Sequence, residues 1–129
     1  SLGGKLGEFD LLATGLPQQV EIFDHVVRGT GRIPPVVDAA DLLAAHEPML
    51  RVLCSALEIE YSPRMLSWPP GPRTTDGVWA KHWYQRVERS TGFELQAVDE
   101  PTALDGRLAA IEQECRPLYA KLREHRLRA

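Results

Sequence analysis

Ten prolines punctuate this 129-residue chain and limit how far any helix in it can run. Proline has no backbone N–H, so it suits the first turn of a helix and disrupts one further in. Pro17 opens a pattern in which Leu16, Val20, Phe23 and Val27 share one face at the 3.6-residue period, with Ile22 and Val26 beside them. Gly29-Thr30-Gly31 ends it. Pro34-Pro35-Val36-Val37-Asp38 reads as a short extended segment, because proline holds its predecessor out of the helical region. Asp38 is placed to cap a short helix through Leu43. Pro48 starts a longer one, whose apolar face is Met49, Leu50, Leu53, Ala56 and Leu57, with Val52 adjoining. Tyr61-Ser62-Pro63 reads as a turn with a serine cap and a proline at the first helical position.

The densest cluster is Trp68–Trp83, WPPGPRTTDGVWAKHW, which holds three prolines, two glycines and all three tryptophans. Pro69-Pro70-Gly71-Pro72 excludes helix. From Gly77 the pattern turns helical, with Trp79, Trp83 and Val87 on one side and Val78 and His82 adjoining. Asp76 or Thr75 is the natural N-cap, and Ser90-Thr91-Gly92 is the stop. After Pro101 comes a final segment in which Leu104, Leu108, Ile111, Cys115, Leu118 and Leu122 are spaced 4, 3, 4, 3, 4. This seam serves as intramolecular core or as a dimer contact. Pro117 lies inside it and predicts a kink or split near residues 114–116. The tail, REHRLRA, is basic, which suits a helix C-terminus. The fold expected is mainly α, about five helices, with one or two short strands near Val36-Val37 and the N-terminus.

Composition bounds the partners. Net charge is −3, which gives no overall pull toward nucleic acid or anionic lipid, so an anion site must be a local cluster. Cys54 and Cys115 fall in apolar helical patterns without zinc spacing, and read as buried free thiols in a reducing, cytoplasmic compartment. No apolar run approaches the ~18 residues of a membrane span, and SLGGKLGEFD has no signal-peptide core. Residues 1–14 read as an N-terminal loop or an added segment, and residues 15–129 as one domain.

Arg73 sits on a stiffened loop before the expected helix start at Gly77, with Lys81 about one turn inside. Gly71 and Gly77 permit close backbone approach, and Thr74 and Thr75 add hydroxyls. These are suitable parts for a phosphate or sulfate. The bland alternative is a proline-rich loop packing tryptophans onto the core, with Arg73 paired to a surface carboxylate. Trp79 and Trp83 suit a helix core; Trp68 is the freest to stack on a flat ligand. No Ser-His-Asp or Cys-His arrangement is readable, so His25, His46, His82 and His125 are read as helical or surface residues, and no catalytic residue or metal ligand is assigned. Asp38 and Asp41, at a helix start, suit capping. Gly29-Thr30-Gly31-Arg32 lacks the length and lysine of a phosphate-binding GxxxxGK[ST] loop.

Two segments resemble nucleotide-dependent sulfotransferases. The first is VVDAADLLAAHEPMLRVLCSALEI, residues 36–59, similar to the family's strand, acidic-Asp-Leu turn and proline-started helix through Asp41-Leu42 and Pro48 to Leu57. Glu58 stands where the family often has glycine. The second is PRTTDGVWAKHWY, residues 72–84, which resembles the motif that binds the 3′-phosphate of 3′-phosphoadenosine 5′-phosphosulfate. Laid over that motif, Arg73 takes the lysine position, Gly77 the second glycine and Trp79 the tryptophan, while His82 and Trp83 continue the helix. Pro72, Thr74 and Val78 replace the motif's arginine, first glycine and aspartate. The fuller string MLSWPPGPRTTDGVWAKHWYQRVERSTGF is similar to a bacterial sulfotransferase-like branch, whose plant and fungal relatives sometimes carry aminotransferase-like names; no pyridoxal-binding signature stands in this sequence.

The resemblance covers about residues 15–127 and corresponds to the C-terminal half of the family's P-loop α/β fold. It implies a nucleotide or anion site at Arg73, Thr74, Thr75, Gly77, Trp79 and Lys81, a clamp for the donor's 3′-phosphate. The loop that grips the 5′-phosphosulfate, and usually the catalytic base, belong to the family's first half. The expectation is therefore a C-terminal fragment, a separately made domain or a truncated product, inactive alone and using the donor only with that half. Two rivals stand beside it. One is a helical interaction domain that dimerises through the Leu104–Leu122 seam or an exposed strand. The other is a helical domain binding an apolar ligand between Trp68 and the helix at 77.

Overall fold

Gly15 and Gly31 bracket the first helix, and each sits where a side chain would be strained, at φ 73° and 66°. The computed structural model that shows this describes residues 10–78, 80–94 and 106–129, and the backbone alone of Lys81 and Trp83. Six helical segments are described: α1 Leu16–Thr30, α2 Ala39–Ala44, α3 His46–Ala56, α4 Ala80–Trp83, α5 Gln85–Arg89 and α6 Gly106–Glu124. Hydrogen bonds continue across Tyr84, whose N–H donates to the Ala80 carbonyl at 2.8 Å and whose carbonyl accepts from Glu88 at 2.7 Å. α4 and α5 are therefore one run, and among the described residues the architecture is mainly helical, with five helical runs. Among the described residues no sheet forms; two isolated bridges pair Val36 with Arg126 and Ser67 with Gly92. The chain divides into two units, Ser1–Asp38 with Ala97–Leu127 and Ala39–Gln96 with Arg128–Ala129.

In the first unit α6 packs along α1. The seam read from sequence supplies the contact: Ile111 and Leu122 are buried, Leu108, Cys115 and Leu118 half-buried, and Phe23 of α1 is buried. Phe23 also stacks on the His125 ring at 5.0 Å. Lys121 Nζ donates to both Asp24 carboxylate oxygens at 2.7 Å, but these side chains are 42% and 35% exposed. A pair that exposed contributes roughly 0.2–1 kcal/mol, whereas burying a Phe or Leu contributes roughly 1.5–3 kcal/mol. Apolar packing, then, holds α6 to α1. The segment after α1 returns beside the tail of α6: the Leu127 N–H donates to the Val36 carbonyl at 2.9 Å. Asp38 accepts from the Tyr119 hydroxyl at 2.5 Å and pairs with Arg123 Nε at 3.4 Å.

Pro117 lies inside α6, and the expected split near residues 114–116 does not occur. The proline deletes a bond to the Gln113 carbonyl, and both residues are exposed, so water can solvate that oxygen. Ile111 and Leu122, buried on either side, keep the two halves on one packed surface. Leu104, the first residue of the seam, lies outside the described residues, as does the apolar knot expected at Phe9.

In the second unit Met49 and Cys54 of α3 are buried, with the Cys54 thiol 3.8 Å from the Met65 thioether. Ala56 and Leu57, read as part of the same face, are exposed. α3 ends in a tight cap. The Ile59 N–H reaches the Cys54 carbonyl at 3.0 Å and the Glu58 N–H reaches that of Ser55 at 3.2 Å, which forces Glu58 to φ 57°. Ser62 then caps the 3-10 turn Pro63–Leu66, accepting from the Arg64 N–H, as the Ser-Pro pair predicts. Arg51 pairs with Glu47 at 2.8 Å and lies 4.0 Å over the Tyr61 ring.

Glu58 occupies a left-handed position that costs a side-chain-bearing residue roughly 1–2 kcal/mol. Glycine there gives back roughly 0.4–1 kcal/mol through the freedom of the unfolded chain. Glu58→Gly should therefore raise stability by about 0.5–1 kcal/mol, seen as a higher urea midpoint with unchanged slope. A lower midpoint would show that the glutamate side chain is itself needed. A second expectation concerns Tyr119. Its bond to Asp38 raises its pKa above the ordinary tyrosine value, with partial burial and the Asp38 charge adding to the shift. The stabilisation is complete below pH about 10 and is lost as pH rises through the raised value. In a phenolic-carbon NMR titration Tyr119 should ionise late, and Asp38→Asn should bring it back toward the ordinary value. Tyr61 also ionises late, for burial first and Glu47 second, and should not respond to that substitution.

Candidate functional site

The prolines of residues 69–72 cannot donate to a ladder, so the loop is held by its neighbours. The Trp68 N–H donates to the Thr91 carbonyl at 3.0 Å, and Gly71 donates to the Glu88 carbonyl at 2.6 Å. Gly71 has φ 110°, a conformation that suits glycine alone. The Trp68 indole N–H donates to Ser90 Oγ at 3.0 Å, and Ser90 Oγ in turn donates to the Val87 carbonyl at 2.7 Å. The Trp68 ring meets Phe93 edge-on at 5.5 Å, and Phe93 stacks on His46 at 5.4 Å. At Gly92 a Cβ would lie 3.1 Å from the Leu66 carbonyl oxygen, so a side chain there would press that carbonyl back by a few tenths of an ångström.

Trp68, half-buried, is therefore held through its indole N–H and against Phe93, and it fastens the base of the loop. Beyond this base residues 72–78 project as a tip on which Arg73, Thr74, Thr75, Gly77 and Val78 are exposed. The helix that follows starts at Ala80 rather than Gly77, preceded by a turn in which Ala80 N–H donates to the Gly77 carbonyl at 3.0 Å. Asp76 does not act as the cap read from sequence. Its Oδ2 accepts from the Arg73 N–H at 2.7 Å, and its own N–H donates to the Arg73 carbonyl at 3.0 Å. The two bonds close residues 73–76 into one ring.

Of the six residues read as the anion site, Arg73, Thr74, Thr75 and Gly77 come together on this tip. Trp79 lies outside the described residues, as does the Lys81 side chain. Three contributors escaped the sequence reading: Asp76 as an internal acceptor, Ser90 as the partner of Trp68, and the Glu88 carbonyl. The only signal for Asp76 was its distance of three from Arg73. Chemically, the tip offers one guanidinium, two hydroxyls and a backbone N–H that already holds an anionic oxygen. Among the described residues no cluster of His, Cys, Asp and Glu could hold a metal ion, and no helix is long and apolar enough to cross a membrane.

A family model described as a sulfotransferase domain matches residues 3–123. Two curated proteins of Arabidopsis thaliana are similar. Branched-chain-amino-acid aminotransferase-like protein 2 is 38% identical over 111 residues, covering 86% of this chain and 20% of its own length. Branched-chain-amino-acid aminotransferase-like protein 1 is 39% identical over 114 residues, covering 88% and 20%. The chain thus spans about a fifth of the length of the curated relatives it matches. No solved structure matches it significantly. Because the family match runs through both helical units and across the whole of the stapled loop and its tip, this chain belongs to the sulfotransferase domain family.

Proposed function

We propose that the tip at residues 72–78 is a phosphate clamp for the nucleotide donor of a sulfotransferase reaction, 3′-phosphoadenosine 5′-phosphosulfate. The observation that carries this reading is the Arg73 N–H, which already holds a carboxylate oxygen at 2.7 Å on an exposed, stapled loop. A backbone N–H that donates to a carboxylate oxygen is also suited to donate to a phosphate oxygen. In this reading the Arg73 guanidinium and N–H grip the 3′-phosphate, the Thr74 and Thr75 hydroxyls donate to it, and Gly77 lets it approach the backbone. Trp79 and Lys81 complete the set. The family match supports a nucleotide phosphosulfate over other anions. Sulfuryl transfer itself needs a base and a grip on the transferring group, and the tip supplies neither, so the chain by itself binds without turning over. The aminotransferase-like names belong to proteins more than four times as long and assign no chemistry to this fifth.

One observation favours a second reading, self-association. A groove of about 290 Å³ in the first unit is lined by Ile22, Phe23, Pro34, Pro35, Val36 and Leu122 among others, and Ile22 and Ile33 are 64% and 58% exposed.

Calorimetric titration with 3′,5′-adenosine bisphosphate, against 5′-AMP, tests the first reading. The bisphosphate should bind and AMP should not. Arg73→Ala should cost about 1.5 kcal/mol, the low end for a charge-assisted contact because the site is exposed. Failure of both nucleotides to bind at millimolar concentration would overturn it. Sedimentation velocity across a concentration series tests the second. It requires a dimer that Ile22→Glu abolishes, and a monomer at every concentration ends it.

A further inference from the structure

We propose that Asp76 is a built-in competitor for the phosphate, an autoinhibitory contact that the ligand must displace. The inference rests on reading the tip as a phosphate clamp. Asp76 Oδ2 sits 2.7 Å from the Arg73 amide nitrogen, the position an anionic ligand oxygen would need. Two hydrogen-bond acceptors cannot share that N–H along its axis, so binding is an exchange of the carboxylate oxygen for a phosphate oxygen.

The rest of the ring can survive the exchange. The backbone bond from the Asp76 N–H to the Arg73 carbonyl, at 3.0 Å, does not involve the carboxylate, so the turn keeps one closure while the side chain leaves. Asp76 is half-buried, whereas Thr74, Thr75 and Gly77 are exposed, so a displaced carboxylate has solvent to enter. Capping alone does not call for a full negative charge here, since an amide oxygen or a hydroxyl can accept from the same N–H. The charge has a further effect. It faces any incoming phosphate with like charge beside the one arginine of the tip, which weakens binding and slows encounter.

The test is titration of 3′,5′-adenosine bisphosphate into wild type, Asp76→Asn and Asp76→Ser, with 5′-AMP as control. Circular dichroism confirms that each variant is folded. Both replacements keep a neutral acceptor for the Arg73 N–H. The bisphosphate should bind about tenfold more tightly to both, and AMP should remain unbound. Binding to the variants when wild type binds too weakly to measure would support the proposal equally. If wild type and variants bind alike, Asp76 does not compete, and this inference falls while the clamp stands. If the variants bind more weakly, the carboxylate shapes the site, and again only this inference falls. If no protein binds, the clamp reading fails and takes the inference with it.

Discussion

Proline has no amide hydrogen, and the second unit is organised around that deficit. Pro69, Pro70 and Pro72 leave the segment with few donors of its own, so the bonds made by the Trp68 N–H, the Trp68 indole and the Gly71 N–H fix its path. Each reaches a different element of one short stretch, residues 88–91, at the end of α5. The loop is thus stapled at its base and open at its tip. Stiffness from the prolines and fastening from Trp68 act together: without the staple a stiff segment has no fixed direction, and without the prolines a stapled one has no fixed shape.

The first unit is held differently. Its polar ties are Lys121 with Asp24, both partly exposed, and Arg123 with the Asp38 carboxylate, which is only 9% exposed. The exposed Lys121–Asp24 pair contributes little next to Phe23, Ile111 and Leu122. What those ties add is direction. Lys121 and Arg123 fall two residues apart on α6 and draw it toward α1 and toward the segment at Val36–Asp38. Apolar contact alone would let α6 slide by a turn along α1; charges at fixed positions make one register better than its neighbours.

Most of the helical plan was legible because its signals are local. Pro17 and Gly31 mark α1, and Ser62-Pro63 marks a capped turn. The seam of α6 was legible because its apolar spacing is long. What was not legible depended on which of two local preferences wins. Asp76 can cap a following helix or close a turn behind it, and it closes the turn: its carboxylate accepts from the Arg73 N–H, while α4 is described only from Ala80. Pro117 can break a helix or be carried by one, and packing on both sides carries it. Trp68 shows no period, so its partner Ser90, 22 residues on, could not be read from spacing. Of the site, the residue types on the tip were legible; the carboxylate already bonded among them was not.

The tip's exposure sets what its charges are worth. Two unit charges 4 Å apart interact by about 1 kcal/mol in water and by about 4 kcal/mol where the effective dielectric is near 20. Salt screens the exposed pair further, with a Debye length of roughly 8 Å at physiological strength. Arg73 and Asp76 sit on the same turn, so on the clamp reading a change of surroundings would strengthen both the attraction for a phosphate and the competition from the carboxylate. A wall that merely excluded water would raise the two together and gain little discrimination. A wall that also brought in a cation would turn the balance, because it would pair Asp76 as it leaves and the phosphate as it arrives. On the clamp reading, the tip is a backbone donor already held by its own carboxylate rather than a preformed cationic socket.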